Sequence, residues 1–115
     1  MAFNDLERKR IEKAVAEFLT KRRPPPHIRP ELDIDYRIDG QSVELLEIRP
    51  QWNDRSIIRR YPFAKATYVG TQKLWKVFWQ RADLKWHGYE PAPTVNSIDE
   101  FLAIVDADPH ACFFG

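Results

Sequence analysis

Asp33, Asp35 and Glu44 are the side chains of this 115-residue sequence best suited to acid–base or metal chemistry. Asp39-Gly40 separates two apolar–polar alternating runs, and that dipeptide is favoured in a two-residue type I′ hairpin. With those two residues as the loop, Asp35 falls directly across from Glu44. Like charges opposite one another destabilise a ladder, so an arginine or lysine, water and salt, or a hard cation such as magnesium must compensate. The cation option defines one functional expectation, a metal-dependent hydrolase using Asp33, Asp35 and Glu44. Glu47-Ile48-Arg49 extends it toward a nuclease of the aspartate then glutamate-x-lysine kind. Strand parity opposes that extension, because Glu47 lies on the Val43 and Leu45 side, and arginine is a poor proton acceptor.

Other chemistry is thinly represented. His110 and Cys112 would be half of a transition-metal site, with His27 or His87 as a distant partner, but a thiol beside Phe113 and Phe114 reads as a small buried hydrophobe. Cys112 is the only cysteine, which excludes an internal disulfide and a cysteine-based zinc framework within this chain. Ser42, Ser56 and Ser97 fall in a hairpin, a loop and a helix cap, with no nucleophile elbow. The four glycines are scattered, so no phosphate-cradling loop or dinucleotide fingerprint exists and no cofactor is implied. An enzyme is therefore the less favoured class.

A stronger pattern combines charge with aromatic rings. Net charge is only +1, yet residues 1–30 carry eight Lys/Arg against four Asp/Glu, residues 31–54 two against seven, residues 55–89 eight against one, and residues 90–115 none against five. Such segregation serves either an anionic partner or mutual neutralisation on folding. Within the most basic block, Lys76 and Lys85 interleave with Phe78, His87 and Tyr89, flanked by Arg59, Arg60, Lys65, Lys73 and Arg81. Cations attract phosphates, and flat rings stack on unpaired bases. Arg59, Lys76, Phe78, Lys85 and His87 are accordingly the expected contacts of a single-stranded nucleic-acid surface. The competing expectation is that a helix covers this face and that Asp99, Glu100, Asp106 or Asp108 neutralises the lysines.

The elements that must position these residues follow from periodicity. Asn4 with Glu7 forms a capping box, Ile11, Ala14, Val15, Phe18 and Leu19 make one apolar stripe, and Pro24-Pro25-Pro26 ends the helix near Arg23. Leu32, Ile34, Tyr36 and Ile38 begin the first hairpin. Gln51–Arg55 is a polar stretch before a third strand from about Pro62 to Val69. Leu74–Gln80 and Leu84–Tyr89 form a second hairpin around Ala82-Asp83, which places Trp79 opposite Trp86, with Trp75, Val77 and Leu84 on a shared core face. Ser97 and Glu100 cap a short helix ending by Asp108, and Phe113 or Phe114 is expected to dock. The fold class is α+β over a single domain, residues 1–115: a helix, an antiparallel sheet of four to five strands built from two hairpins plus a connecting strand, and a short C-terminal helix. Both helices are expected on one sheet face.

Arg37-Ile38-Asp39-Gly40-Gln41-Ser42-Val43, Lys73-Leu74-Trp75-Lys76, Leu84-Lys85-Trp86-His87 and Val105-Asp106-Ala107-Asp108-Pro109 together resemble a family of small bacterial proteins catalogued only as a domain of unknown function, number three thousand and twenty-four. The resemblance covers both ends and the middle of the chain. It implies a bacterial cytosolic protein, supplies no activity, and carries over no site residue.

No apolar run reaches the eighteen or so residues of a membrane span, and Met1-Ala2-Phe3-Asn4-Asp5 lacks a signal pattern, so a cytoplasmic location is expected. The leading expectation is a non-enzymatic binding module for single-stranded nucleic acid. The alternatives are a homodimeric or protein-interaction module and the hydrolase described above.

Overall fold

The apolar stripe of the first helix decides which side of the sheet becomes the core. A computed structural model describes residues 3–81, 83–108 and 113. In it α1 (Asp5–Arg22) begins at the expected capping box, with the Glu7 amide donating to Asn4 and the Asn4 amide donating to Glu7. Ile11, Ala14, Val15 and Phe18 are its buried face. The strands β1 (Asp33–Asp39), β2 (Ser42–Gln51), β3 (Asp54–Val69), β4 (Leu74–Gln80) and β5 (Trp86–Gly88) form an antiparallel meander in chain order, with the two-residue β6 (Thr94–Val95) paired to β4. The chain is α+β as expected, with one more short strand than the sequence indicated. After β6 comes α2 (Ile98–Ala107), where the Ser97 hydroxyl accepts from the Glu100 amide and Ile98, Phe101, Leu102 and Val105 turn inward.

Register explains the one-sided core. Val43, Ala66 and Val77 lie on one rung, and Leu45, Ala64 and Trp79 on another. Val43, Leu45, Ala64 and Ala66 are wholly buried, together with Val15 of α1 and Phe101 and Val105 of α2. Each large member of this group contributes roughly 1.5–3 kcal/mol of burial. Both helices share this face, as expected, and Arg22 Nε lies 3.1 Å from Asp106 Oδ1 where their C-terminal ends meet. Phe113 docks against Tyr89 at 4.9 Å between ring centroids, whereas Phe114 lies outside the described residues. No helix among the described residues is long and apolar enough to cross a membrane.

Three local expectations are corrected. The first hairpin turns on Gly40-Gln41, not Asp39-Gly40, because Asp39 pairs with Ser42 and Gly40 takes φ +58°, the first loop position that a type II′ turn reserves for glycine. The register therefore slides by two residues while the faces stay as expected. In the second hairpin Gln80 pairs with Trp86 and Trp79 with His87, an odd-length loop of residues 81–85 that slides the register by one. Trp86 thereby leaves the expected core face, and Leu84, at φ 62°, is exposed in the loop. Lastly, β3 starts at Asp54, well before Pro62. Pro62 lies beyond the last β4 rung, where β3 is an edge strand and a missing amide is tolerated.

α1 is tied to β1 by a fork in which Arg23 donates through Nε and an η nitrogen to both Asp33 oxygens at 2.8 Å. That donor holds the Asp33 carboxyl below its ordinary value. A depressed carboxylate adds stability at neutral pH that disappears as the pH falls below the ordinary carboxylate range, about 3.9, and through the folded value. The melting temperature of the natural chain should accordingly fall more steeply from pH 5 downward than that of Asp33→Asn, and Arg23→Ala should flatten the profile similarly. Equal slopes in all three would show that the fork contributes nothing.

Candidate nucleic-acid interface

The helices leave the second sheet face to residues of opposite parity, and one rung runs across it from Arg37 through Glu44 and Lys65 to Phe78 and Gly88. The next rung joins Asp39, Ser42, Thr67, Lys76 and Thr94. Because no helix covers this face among the described residues, its polar groups satisfy one another within the sheet. The Ser42 and Thr67 hydroxyls are 2.7 Å apart. Arg37 Nε donates to Glu44 Oε2 at 2.5 Å, and the glutamate side chain is only 8% exposed, so this arginine is committed to a buried carboxylate.

The β3–β5 half is cationic and aromatic. Lys65 Nζ lies 4.9 Å from the Phe78 ring centroid and 4.7 Å from that of Trp86. Gln80 faces Trp86 at the end of β4, and Lys76 is exposed on the same side as Phe78. An ammonium held between two ring faces is attracted by their quadrupoles, and two half-exposed rings beside lysines can stack on planar groups while the cations meet anions. Acidic residues gather at the other edge, on β1, where Asp35 and Asp39 share the parity of Arg37.

Lys76 and Phe78 are brought together on this face, and Lys85 is exposed in the adjoining loop. His87 is not, since its register partner is Trp79, and its Nε2 lies 2.9 Å from Asp83 Oδ2. Backbone donation from Lys85, then the His87 contact, holds the Asp83 carboxyl below its ordinary value. Arg59 lies farther along β3, opposite Arg49, with Nε donating to Gln51 Oε1 at 2.9 Å. Lys65 and Trp86 are the members that sequence reasoning undervalued. The signal for Trp86 was the parity of the β4–β5 connection, which the residue types between Gln80 and Trp86 do not reveal.

The acidic cluster does not assemble. Arg37, not Asp35, is opposite Glu44, Asp35 is opposite Leu46 and accepts from the Tyr36 amide, and Asp33 is forked by Arg23. Among the described residues no three His, Cys, Asp or Glu side chains converge as metal ligands, while His110 and Cys112 lie outside those residues. A cleft of about 510 Å³ between α1 and α2 opens over Phe3, Tyr68 and Trp75, but these rings pack on one another as core, and its rim mixes Glu7, Arg10, Lys13 and Asp99 without a dominant charge.

A family model described as a domain of unknown function, DUF3024, matches residues 3–115. The chain belongs to the DUF3024 family. Neither a curated protein nor a solved structure matches it. The DUF3024 match takes in the whole open face, and its description assigns neither an activity nor a site residue.

The Arg37–Glu44 pair supplies a test of the face's internal balance. Removing the arginine alone leaves a buried carboxylate without its donor, an imbalance worth about 1–2 kcal/mol when the lost partner is half exposed. Arg37→Ala should lower unfolding stability by that amount, and the double variant Arg37→Ala/Glu44→Gln should recover much of it. Additive losses in urea melts would refute the pairing.

Proposed function

We propose that this chain is a non-enzymatic binding module that takes single-stranded nucleic acid on the open sheet face. The observation that carries this reading is the placement of Lys65 and Lys76 around Phe78 and Trp86 on the face turned away from both helices. Each ring that accepts a base contributes about 1–3 kcal/mol with little sequence preference. Lysines beside the rings neutralise phosphates and release counterions, giving affinity that falls as salt rises. Arg37 is spent on Glu44, so the phosphate contacts belong to Lys65, Lys76 and Lys85. A nucleic-acid ligand agrees with the bacterial cytoplasmic location that the family resemblance implies.

A second copy of this chain is the other partner with an observation in its favour. The outer edge of β3 from Asp54 to Pro62 faces no strand among the described residues, and unpaired edges accept partners. Arg59, Arg60 and Pro62 sit on that edge, and charge and proline are the usual guards against such pairing. Nucleic acid therefore ranks first.

Fluorescence anisotropy with a labelled single-stranded oligonucleotide tests the reading. Binding should weaken steeply with salt, and Lys76→Glu should reduce the slope of log affinity against log salt by about 0.7, the share of one phosphate contact. Phe78→Ala should cost about 1–3 kcal/mol. Absence of binding at low salt, or wild-type affinity in both variants, would remove the single-strand assignment.

A further inference from the structure

The far end of the β2–β3 hairpin does nothing for the core. Beyond Asp33–Ile48, the last rung of β1, β2 and β3 continue together to the Trp52-Asn53 turn. Every residue from Trp52 to Tyr61 is exposed, and Trp52 at the turn is 91% exposed. Residues 49–61 contain Arg49, Arg55, Arg59 and Arg60 against Asp54 alone, and no lysine. An exposed indole gains nothing from burial in this fold. Glu31 pairs with Arg55 and Glu47 with Arg49, but Arg59 and Arg60 are adjacent like charges with no ion-pair partner among the described residues, so the composition of the arm answers to something outside the chain.

We infer that this hairpin end is an arm that enters a groove of duplex nucleic acid, with Trp52 leading, so that the module's ligand is a duplex adjoining a single-stranded stretch. The tailed ligand rests on the single-strand reading above; the arm rests on its own geometry. A two-stranded ribbon fits the major groove, about 12 Å wide. A groove presents phosphates on both walls, and the arm carries arginine on both faces: Arg49 opposite Arg59 on one, Arg60 opposite Ile48 on the other. Arg49 is steadied along the ribbon by Glu47 at 3.1 Å and the Tyr61 ring at 5.2 Å, and Arg59 by Gln51. Arg60 has no ion-pair partner among the described residues. A lipid surface would meet the tip or one face, leaving the other arginines unused. Planar guanidinium groups grip phosphate or guanine bidentately, which suits a rigid duplex. An apolar ring at the tip can wedge between base steps.

The arm and the sheet face are separated along β3 by the span from Asp54 to Lys65, roughly 35 Å at strand rise, within a molecule 45 Å in its longest dimension. One ligand reaching both must change from duplex to single strand over that length.

Three labelled probes test this: a blunt duplex, a single strand, and the same duplex with a single-stranded tail of about ten nucleotides. The natural chain should bind the tailed duplex at least about tenfold more tightly than either part alone, since the second contact becomes intramolecular. The double variant Arg59→Glu/Arg60→Glu and, separately, Trp52→Ala should weaken duplex and tailed-duplex binding by about tenfold or more and leave the single strand unchanged. Both lie on exposed backbone, and an unchanged melting temperature checks that they fold. Lys76→Glu should do the reverse. If the tailed duplex binds no better than the single strand and the arm variants match the natural chain, the arm assignment is overturned while the sheet face stands. If arm-dependent duplex binding persists without any single-strand binding, the arm stands and the sheet-face reading and tailed ligand fall. Arm-dependent capture by anionic phospholipid vesicles without duplex binding, or a dimer abolished by the arm variants, would overturn it as well.

Discussion

The structure depends on four adjacent positions in the middle of the sheet, Val43 and Leu45 on β2 and Ala64 and Ala66 on β3, all at zero exposure. Two helices must bury their apolar stripes on the same strip of sheet, and the alanines leave room for Val15, Phe101 and Val105, which are likewise fully enclosed. Larger side chains at 64 or 66 would push one helix off, and a tightly packed core absorbs such volume poorly. Placing both helices here also decides the fate of the other face. It receives no helix, so its buried carboxylate must be neutralised from within the sheet. Arg37 does so, through a register in which Arg37 rather than Asp35 stands opposite Glu44.

Strand length supplies the second asymmetry. β2 and β3 outlast their neighbours, and the register shift between Leu45 and Leu46, opposite Pro62 to Ala64, is an irregularity that bends and twists a ribbon. Core-facing residues stop there, with Phe63 as the last buried position on β3 before the exposed stretch. Past that point packing no longer selects side chains. Trp52, Ile57, Ile58 and Tyr61 are therefore exposed without having been recruited by the core, and they account for the apolar character of the arm.

Helix ends and the faces of β1, β2 and β4 were legible because they depend on local chemistry. The capping box at Asn4, the proline stop after Arg23, the alternation from Leu32 to Ile38 and the stripe of α2 each follow from a few adjacent residues. Register was not legible, because it depends on turn geometry that composition leaves open. Asp39-Gly40 and Gly40-Gln41 both put glycine in a two-residue loop, yet they differ in whether Asp35 or Arg37 confronts Glu44. A loop of residues 81–85 looks like an even one from its residue types, yet its parity exchanges Trp86 and His87 between faces. The arm was hidden for a different reason: Gln51 to Arg55 is polar and turn-rich, and a turn at Trp52-Asn53 makes the same residues the tip of a long ribbon.

The division between the two basic surfaces carries chemical meaning that net charge conceals. Around Phe78 and Trp86 the cations outside the Glu44 pair are lysines, Lys65, Lys76 and Lys85, while those of the arm are all arginines. A lysine is a hydrated point charge on a flexible stem, and it tolerates the variable backbone path of an unpaired strand. An arginine presents a fixed planar fork, and it rewards a partner whose acceptors recur at fixed spacing. With acidic side chains drawn to arginines, Asp33 to Arg23, Glu44 to Arg37, Asp106 to Arg22, Glu47 to Arg49 and Glu31 to Arg55, the lysine field and the remaining arm arginines, Arg59 and Arg60, are left facing outward at opposite ends of β3. Charge segregation along the chain thus resolves into both outcomes at once: internal neutralisation where α1, β1 and α2 meet and at the Arg49–Glu47 and Arg55–Glu31 pairs, and outward-facing cations of two different kinds, lysines around Phe78 and Trp86 and Arg59 with Arg60 on the arm.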